Sequence, residues 1–519
     1  MSARTLARSW ALPVVTAAGM VAVLGLAERT AGGDGAHLAG AELRLAQLLL
    51  DGELFRAFRL FSTLIAPHPP AGYLPGLASA LVFGPSVRTP LAAMIVPLLL
   101  VWDALRRLAD GRVPWAGWLV VCASPLTWLY VEQHGRDLVV ASALVQAVSW
   151  LYASRGFADR RASVAFGAWL GIVFLTKYTG PMFAVAPCLV GAASLRTRDR
   201  WKALALAVLT FLLIAGPWYA SYFDRVYKYV VPSEAAMVTS QAMSRREQGA
   251  LTPAVLALYP LAMKDALGWP GVVLVAIGAA LGGRASLLPL AGALGGIALL
   301  TPLGQAQDRY ALPAFVFLAA LVGPLARHRV GAVVVAVVFG AQLLGSIDTF
   351  RPGAPAARSG SFDHPLSTAP ALSWPKSASY VPVDFDMAAW KIDDAIAALR
   401  RVNGSDAGTV GLLLPREPEV PDFGVVLARA IALGNRWDYA NVNLRAKHGG
   451  LPDPFFMGPL RDGSWPTTEF TALYVILTSQ PDREATDWLA ARQLTEEARF
   501  TLPRGATGIV YRVGGNARP

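Results

Sequence analysis

A charged side chain deep in hydrocarbon costs at least about 2.5 kcal/mol, so ionisable residues lodged in apolar runs are the first place to look for chemistry. Lys177 is one: it sits in GIVFLTKYTGPMFAVAPCLVGAASL, residues 171–195. Its bland role there is to reach a headgroup layer from the edge of the run. Arg136 and Asp137 stand together in the polar stretch EQHGRD, and Arg309 and Tyr310 close QAQDRY. Asp34 opens DGAH, with Glu42 and His68 further along. A carboxylate beside a substrate hydroxyl can take its proton, a role open to Asp34, Glu42 and Asp137. Arg and Lys are the natural partners of phosphate oxygens, which makes Lys177, Arg136 and Arg309 candidate anion ligands. Structural alternatives stand beside each reading. Asp34 is a good helix N-cap, Asp137 can pair with Arg136, and His68 before two prolines can fix the entry of the next helix. Tyr178 and Tyr310 read as aromatic anchors at the membrane boundary as well as substrate contacts.

The elements that must position these residues are membrane helices. The chain has 519 residues, 54% hydrophobic and 16% charged, with a mean hydropathy of +0.44, against about 25% charged in ordinary soluble proteins. Apolar runs long enough to cross a bilayer, or nearly so, lie at about 10–27, 88–105, 113–130, 138–154, 163–177, 181–195, 203–221, 268–283, 286–302, 311–326 and 330–347. The net charge of +11 comes from basic residues placed between those runs, the pattern of cytoplasmic membrane loops, and implies no nucleic-acid partner. Cys122 and Cys188 both fall inside apolar runs and predict no disulfide. The first run follows Arg4 and Arg8 without a clear cleavage site and reads as an uncleaved helix.

Basic residues mark every second connection: Arg106, Arg107 and Arg112; Arg155, Arg160 and Arg161; Arg196 to Lys202; Arg284; Arg327 and Arg329. That side is expected to be cytoplasmic, with the N-terminus, and the C-terminal region outside. Lys177, Arg136 and Arg309 then break the orientation rule at three outer turns, which points to an anion bound at the outer surface. Residues 28–72 are expected to form outer interfacial helices, since 38–61 places Leu, Ala and Phe at helical spacing around Arg44, Arg56 and Arg59. The stretch 71–84 reads as a half-buried or interfacial helix on that side, and 222–267 as a second large outer loop. The membrane domain is expected to span residues 1–349, followed by a Pro, Gly and Ser-rich linker over 350–385. Residues 386–519 read as a soluble α/β domain outside the membrane, with helices near 387–402, 423–434 and 482–493 and strands at 409–414, 472–478 and 508–513. The fold class is a polytopic α-helical membrane protein of about eleven crossings with a C-terminal soluble α/β domain. No metal-binding motif is evident, which leaves cofactors unknown and a divalent cation open.

Taken in order, these residues resemble the polytopic GT-C type glycosyltransferases, the family of the bacterial aminoarabinose and protein mannosyl transferases and the Rgt-like membrane sugar transferases. The resemblance covers about residues 10–330. It is carried by Asp34 with the AQLLLDG stretch, by His68-Pro69-Pro70, and by Arg136-Asp137. Gly171 and Leu175 to Thr179, the pair Pro217-Trp218, and Arg309-Tyr310 with Pro313 complete it. It implies a sugar moved, with inversion, from a polyprenyl-phosphate donor to a glycan, lipid or protein acceptor at the outer face. Asp34 takes the family's place for the general base. Where the family has an acidic pair and an aromatic, this chain has DGAH, so Glu42 stands as a competitor. The membrane is a bacterial inner membrane or a eukaryotic endoplasmic reticulum, and the sparse cysteines and absence of a eukaryotic retention signal favour the bacterial one.

Two other classes are consistent with a polar-lined helical bundle. A lipid or solute transporter or flippase would place its polar residues near the midplane in two repeated halves, and no convincing repeat is present. A non-catalytic assembly protein would use the C-terminal domain to bind a partner and would tolerate loss of Asp34.

Overall fold

The computed structural model describes residues 3–26, 33–65, 68–86, 88–109, 113–237, 253–301, 308–351, 389–404, 409–414, 423–435, 438–441, 471–477, 486, 489–490 and 493–513. The side chains of Asp34 and Arg309 lie outside that description, as does the expected linker over 352–388. The helices are, in chain order, α1 (Ala3–Leu26), α2 (Gly33–Leu50), α3 (Leu54–Leu64), α4 (Leu74–Phe83), α5 (Thr89–Ala93), α6 (Ile95–Leu108), α7 (Pro114–Ala123), α8 (Pro125–Glu132) and α9 (Arg136–Ala153). They continue as α10 (Arg160–Phe174), α11 (Gly180–Ala192), α12 (Arg198–Met237), α13 (Pro253–Gly282), α14 (Leu287–Leu300), α15 (Leu312–Ala320), α16 (Arg329–Phe350), α17 (Ile392–Asn403) and α18 (Phe423–Ala432). The chain divides into two compact units: residues 1–28, 68–75 and 91–381, and residues 29–67, 76–90 and 382–519.

The first unit is a helical bundle, and every apolar run expected to cross has a helix in it. The segments Arg198–Asp224, Ala262–Leu300 and Arg329–Phe350 are each long and apolar enough to span a bilayer. Several others are shortened by identifiable breaks. The run 113–130 splits into α7 and α8 because Pro125 forces Ser124 into an extended conformation (φ −74°, ψ 124°), which ends one helix and starts the next. The run 268–283 begins at a kink inside α13, where Gly268 takes φ 66° and ψ 157°, a conformation open to glycine alone. The segment 222–267, expected as a loop, is helical at both ends, since α12 continues to Met237 and α13 starts at Pro253.

Bundle helices approach closely where small residues face one another. Gly167 and Gly171 lie four apart on α10, and a Cβ at 167 would run into the backbone of Ala207 on α12, one at 171 into Ile214. Gly19 on α1 has open space around it instead. Gly167→Ala should therefore lower the thermal midpoint in detergent, with an overpacking cost of about 1–3 kcal/mol. Gly19→Ala should leave it unchanged or raise it, by up to about 1 kcal/mol of helix propensity. Equal midpoints for the two variants would contradict this packing. At the end of the bundle where α6 and α9 finish, Arg107 pairs with Asp103 at 2.6 Å, bonds Ser149 Oγ at 3.0 Å and Gln146, and lies 4.3 Å over the Trp150 ring. A basic residue at that end is thus a fully engaged interhelical tie.

The second unit is the C-terminal α/β domain together with residues 29–67 and 76–90. Its strands, β1 (Thr409–Leu413), β2 (Asp438–Asn441), β3 (Ala472–Leu477), β4 (Leu494–Thr501) and β5 (Thr507–Val513), form one sheet in the order β2-β1-β3-β5-β4. The first three are parallel, and β5 pairs antiparallel with β3 and β4. Val410, Leu412, Tyr474, Ile476 and Val510 pack under Ile396 and Leu399 of α17 and Val426, Leu427 and Ile431 of α18. Leu43 and Ala46 of α2 and Ala80 of α4 enter the same core. Residues 38–61, expected as an interfacial helix pair, therefore divide: α2 is buried in this unit, while α3 exposes Leu54, Phe55 and Phe58. The half-buried stretch 71–84 is α4, with Gly76, Ser79 and Ala80 buried and Val82 and Phe83 exposed.

Strands β2 and β4 are not legible from hydropathy, and most of the helix expected over 482–493 lies outside the described residues. Across the α17–α18 contact, Asp393 accepts two hydrogen bonds from Arg429, at 2.8 and 2.6 Å. Those bonds hold its carboxyl below the usual carboxylate range. Because the folded value is depressed, the stabilisation is complete above the unfolded carboxyl pKa of about 3.9 and is lost as pH falls through the folded value. The stability difference between wild type and Asp393→Asn should shrink over that acid window, as followed by thermal unfolding against pH.

Candidate functional site

The site is built in the first unit from three turns and the 3-10 turn Asp308–Ala311 that carries Tyr310. In the turn between α10 and α11, Leu175 ends the helix, Thr176 folds its Oγ1 back to Ile172 O at 2.7 Å, and the Lys177 N–H makes a last bond to Val173 O at 3.4 Å. Gly180 then starts α11 where a Cβ would crowd Val140 and Val173, so a larger residue would push this turn off α9. The second turn is EQHGRD. After α8 ends, His134 adopts a left-handed backbone (φ 50°), a position usually given to glycine or asparagine. That bend starts α9 at Arg136 and puts Asp137 in its first turn, where the helix dipole favours a negative charge.

Asp137 is 4% exposed, and a carboxylate so buried requires a counter-charge. Lys177 supplies it, with Nζ 2.5 Å from Asp137 Oδ1. The same ammonium stands 4.7 Å from the centroid of the Tyr310 ring, whose face attracts cations. The third turn is the 3-10 helix Pro70–Tyr73 that follows His68 and Pro69. Its Ala71 N–H donates to Leu175 O at 2.7 Å, tying it to the Lys177 turn. Tyr73 lies beneath Arg136, whose guanidinium carbon is 4.5 Å from the ring centroid. Gly72 makes that possible, because a Cβ there would come 3.0 Å from Arg136 Cδ.

The structure thus brings Asp137, Lys177, Arg136 and Tyr310 together, with His68, buried at 7% exposure, opening the segment that carries Tyr73. Tyr178 belongs to an aromatic cluster instead: its ring centre is 6.5 Å from that of Trp218, which packs in turn on Tyr219 and Tyr222. Arg309 falls in the 3-10 turn Asp308–Ala311, next to Tyr310. Asp34 is in the first turn of α2 and Glu42 is on the same helix, both in the second unit. Glu42 is fully buried against Gly76, where any Cβ would collide with its carboxylate. Tyr73, Glu132 and His134 are buried polar residues around these turns that motif reading passed over. The signal available was local: a tyrosine directly after the double proline, and two further ionisable residues inside EQHGRD. Among the described residues no group of three or more His, Cys, Asp or Glu is placed to hold a metal ion.

The helical bundle and the α/β unit define an integral membrane protein of polytopic α-helical fold with a C-terminal α/β domain. In three dimensions the chain is similar to ArnT from Cupriavidus metallidurans, whose crystal structure is bound to undecaprenyl phosphate, with a TM-score of 0.60 over 98% of this chain and 99% of that one. Sequence identity is 15%, so the likeness is one of fold. No family sequence profile and no curated protein sequence matches the chain.

Proposed function

We propose that the protein is a membrane glycosyltransferase that moves a sugar from a polyprenyl-phosphate donor to an acceptor hydroxyl at the outer face of a bacterial inner membrane. The reading is carried by the cluster at the Lys177 turn, in which a buried carboxylate fixes one cation and a tyrosine ring seats another. It is supported by the end-to-end fold likeness to a protein solved with undecaprenyl phosphate. Lys177, Arg136 and Arg309 hold the donor phosphate. Asp137 is better suited to orienting Lys177 than to taking a proton, because its charge is already committed to that ammonium.

The base is Asp34, with Glu42 the weaker candidate because its carboxylate is sealed against Gly76. In the reaction the acceptor oxygen attacks the anomeric carbon from the face opposite the phosphate. Its proton goes to the Asp34 carboxylate, and the bond from the anomeric carbon to the phosphate oxygen breaks with its electron pair retained by the lipid phosphate. The configuration inverts. The cations offset the charge that grows on the departing phosphate, and fixed charges aimed at developing charge are commonly what lowers the barrier most.

A transporter reading keeps the same cations but makes no new glycosidic bond. The deciding experiment supplies a radiolabelled sugar on polyprenyl phosphate to the protein in proteoliposomes with extracted glycan, lipid and protein acceptors. Label appearing on an acceptor with release of polyprenyl phosphate is the expected result. Label that crosses the bilayer still attached to its carrier would replace this proposal with the flippase.

A further inference from the structure

We infer that the C-terminal domain is the positioning element for the reaction: it fixes helix α2, which carries Asp34 in its first turn, through a polar chain that runs from the buried Gln47 and Asn435 to the exposed Arg400. The inference rests on Asp34 being the base. Its structural part lies wholly within the second unit. Leu43 and Ala46 of α2 sit in the core formed by α17, α18 and the sheet, so this part of the first outer segment folds with residues more than three hundred positions later. Packed Leu and Ala alone leave a helix free to choose among neighbouring settings. Directional bonds between buried polar groups remove that choice, because each unmade bond leaves a desolvated group behind.

Those bonds are present along one line. Arg44, itself buried, donates from Nη1 to Gln47 Oε1 at 2.6 Å. Gln47 Nε2 donates to the backbone carbonyl of Asn435 at 3.1 Å. The Asn435 side chain accepts from Arg400 Nε at 3.0 Å and donates to Ala430 O at 2.8 Å. Arg400 also donates from Nη2 to Leu433 O at 2.9 Å. Asn435 follows Gly434, whose left-handed φ of 80° ends α18, so the carbonyl that Gln47 grips belongs to a stiff helix terminus. At the other side of α2, Glu42 closes on Gly76 with no room for a side chain there.

Asp34 precedes Gln47 by thirteen residues on one helix, about 20 Å of axial distance. A tilt of about 3° at Gln47 therefore moves Asp34 by about 1 Å. Displacements of that size cost on the order of 10²-fold in rate when the displaced group is part of the chemistry. Gln47 and Asn435 are thus positioning residues, acting on Asp34 through helix α2.

Gln47→Glu separates this from simple packing, because it keeps an acceptor for Arg44 and replaces the donor to Asn435 with a carboxylate oxygen that the carbonyl there repels. In the full-length protein, kcat for sugar transfer should fall about 10- to 10²-fold with the donor KM within about twofold of wild type. Hydrogen exchange should quicken across residues 33–50 while the amides of β1, β3 and β5 stay as protected as before. Should Gln47→Glu loosen the sheet as well, Arg400→Lys carries the test, since a lysine ammonium lacks the planar fork that holds Asn435 and Leu433 together; a smaller loss in kcat alone is expected. Wild-type turnover in both variants, with Asp34→Asn inactive, overturns the positioning role and leaves the base assignment intact. Full activity in Asp34→Asn itself removes the base assignment, and this inference with it.

Discussion

Asp34→Asn should lose about 10² to 10⁴-fold in turnover while binding the donor nearly as well as wild type. The amide keeps the size and most of the hydrogen bonding of the carboxylate and removes its ability to accept a proton. A general base acts only as the acceptor hydroxyl attacks, so its loss should appear in kcat and kcat/KM together, with little change in donor affinity. Glu42→Gln is the matched control. Its carboxylate is pressed on Gly76 inside the second unit, so this variant should show its effect as altered stability, with turnover per folded molecule largely kept. Purified protein assayed for label transfer, with the folded fraction measured in parallel, distinguishes the two. A proficient Asp34→Asn enzyme would place the proton acceptor elsewhere on the chain.

The contrast between these two carboxylates also marks where sequence reading reaches its limit. Hydropathy locates the bundle helices because lipid and protein interiors impose the same apolar demand over a whole run. Breaks at Pro125 and Gly268 shorten two of them without moving them. Helix α2 reads as amphipathic, yet residues 38–48 are buried on every face, Glu42, Arg44 and Gln47 included. Periodicity says that one face is buried and is silent on what buries it; here Leu43 and Ala46 face a sheet contributed by the far end of the chain. Strand β4 escapes sequence reading for a related reason. LTEEARFT is rich in helix formers, and only its antiparallel pairing with β5 at the sheet edge makes it a strand. In the candidate site, residue types and sidedness single out Lys177, Arg136 and Asp137 as ionisable groups. What the sequence does not carry is that Lys177 pairs with Asp137, forty positions away, or that Arg136 lies on Tyr73. Those contacts depend on how separate turns meet.

The Lys177–Asp137 pair calls for a test that separates charge balance from catalysis. Lys177→Met should destabilise the protein by about 3–5 kcal/mol, because it strands a buried carboxylate without its counter-ion. The same variant should raise the apparent donor KM and lower turnover, since the phosphate loses a ligand that strengthens as negative charge gathers on the leaving oxygen. A single substitution confounds the two effects. Asp137→Asn added to Lys177→Met removes the stranded charge, so the double variant should regain most of the lost thermal stability, measured in detergent. Activity should stay low, because no cation has been restored at the phosphate. Asp137→Asn alone should hold an intermediate place: Lys177 keeps its charge but loses its orientation, and the donor KM rises less than in Lys177→Met. Lys177→Arg keeps the charge and pairs with Asp137 through a planar fork, which cannot reproduce the geometry of a compact ammonium above the Tyr310 ring. It should therefore retain stability and only part of the activity. If instead the double variant recovers stability and donor turnover together, the pair is structural glue between α9 and the α10–α11 turn, and the phosphate must be held by Arg136 and Arg309.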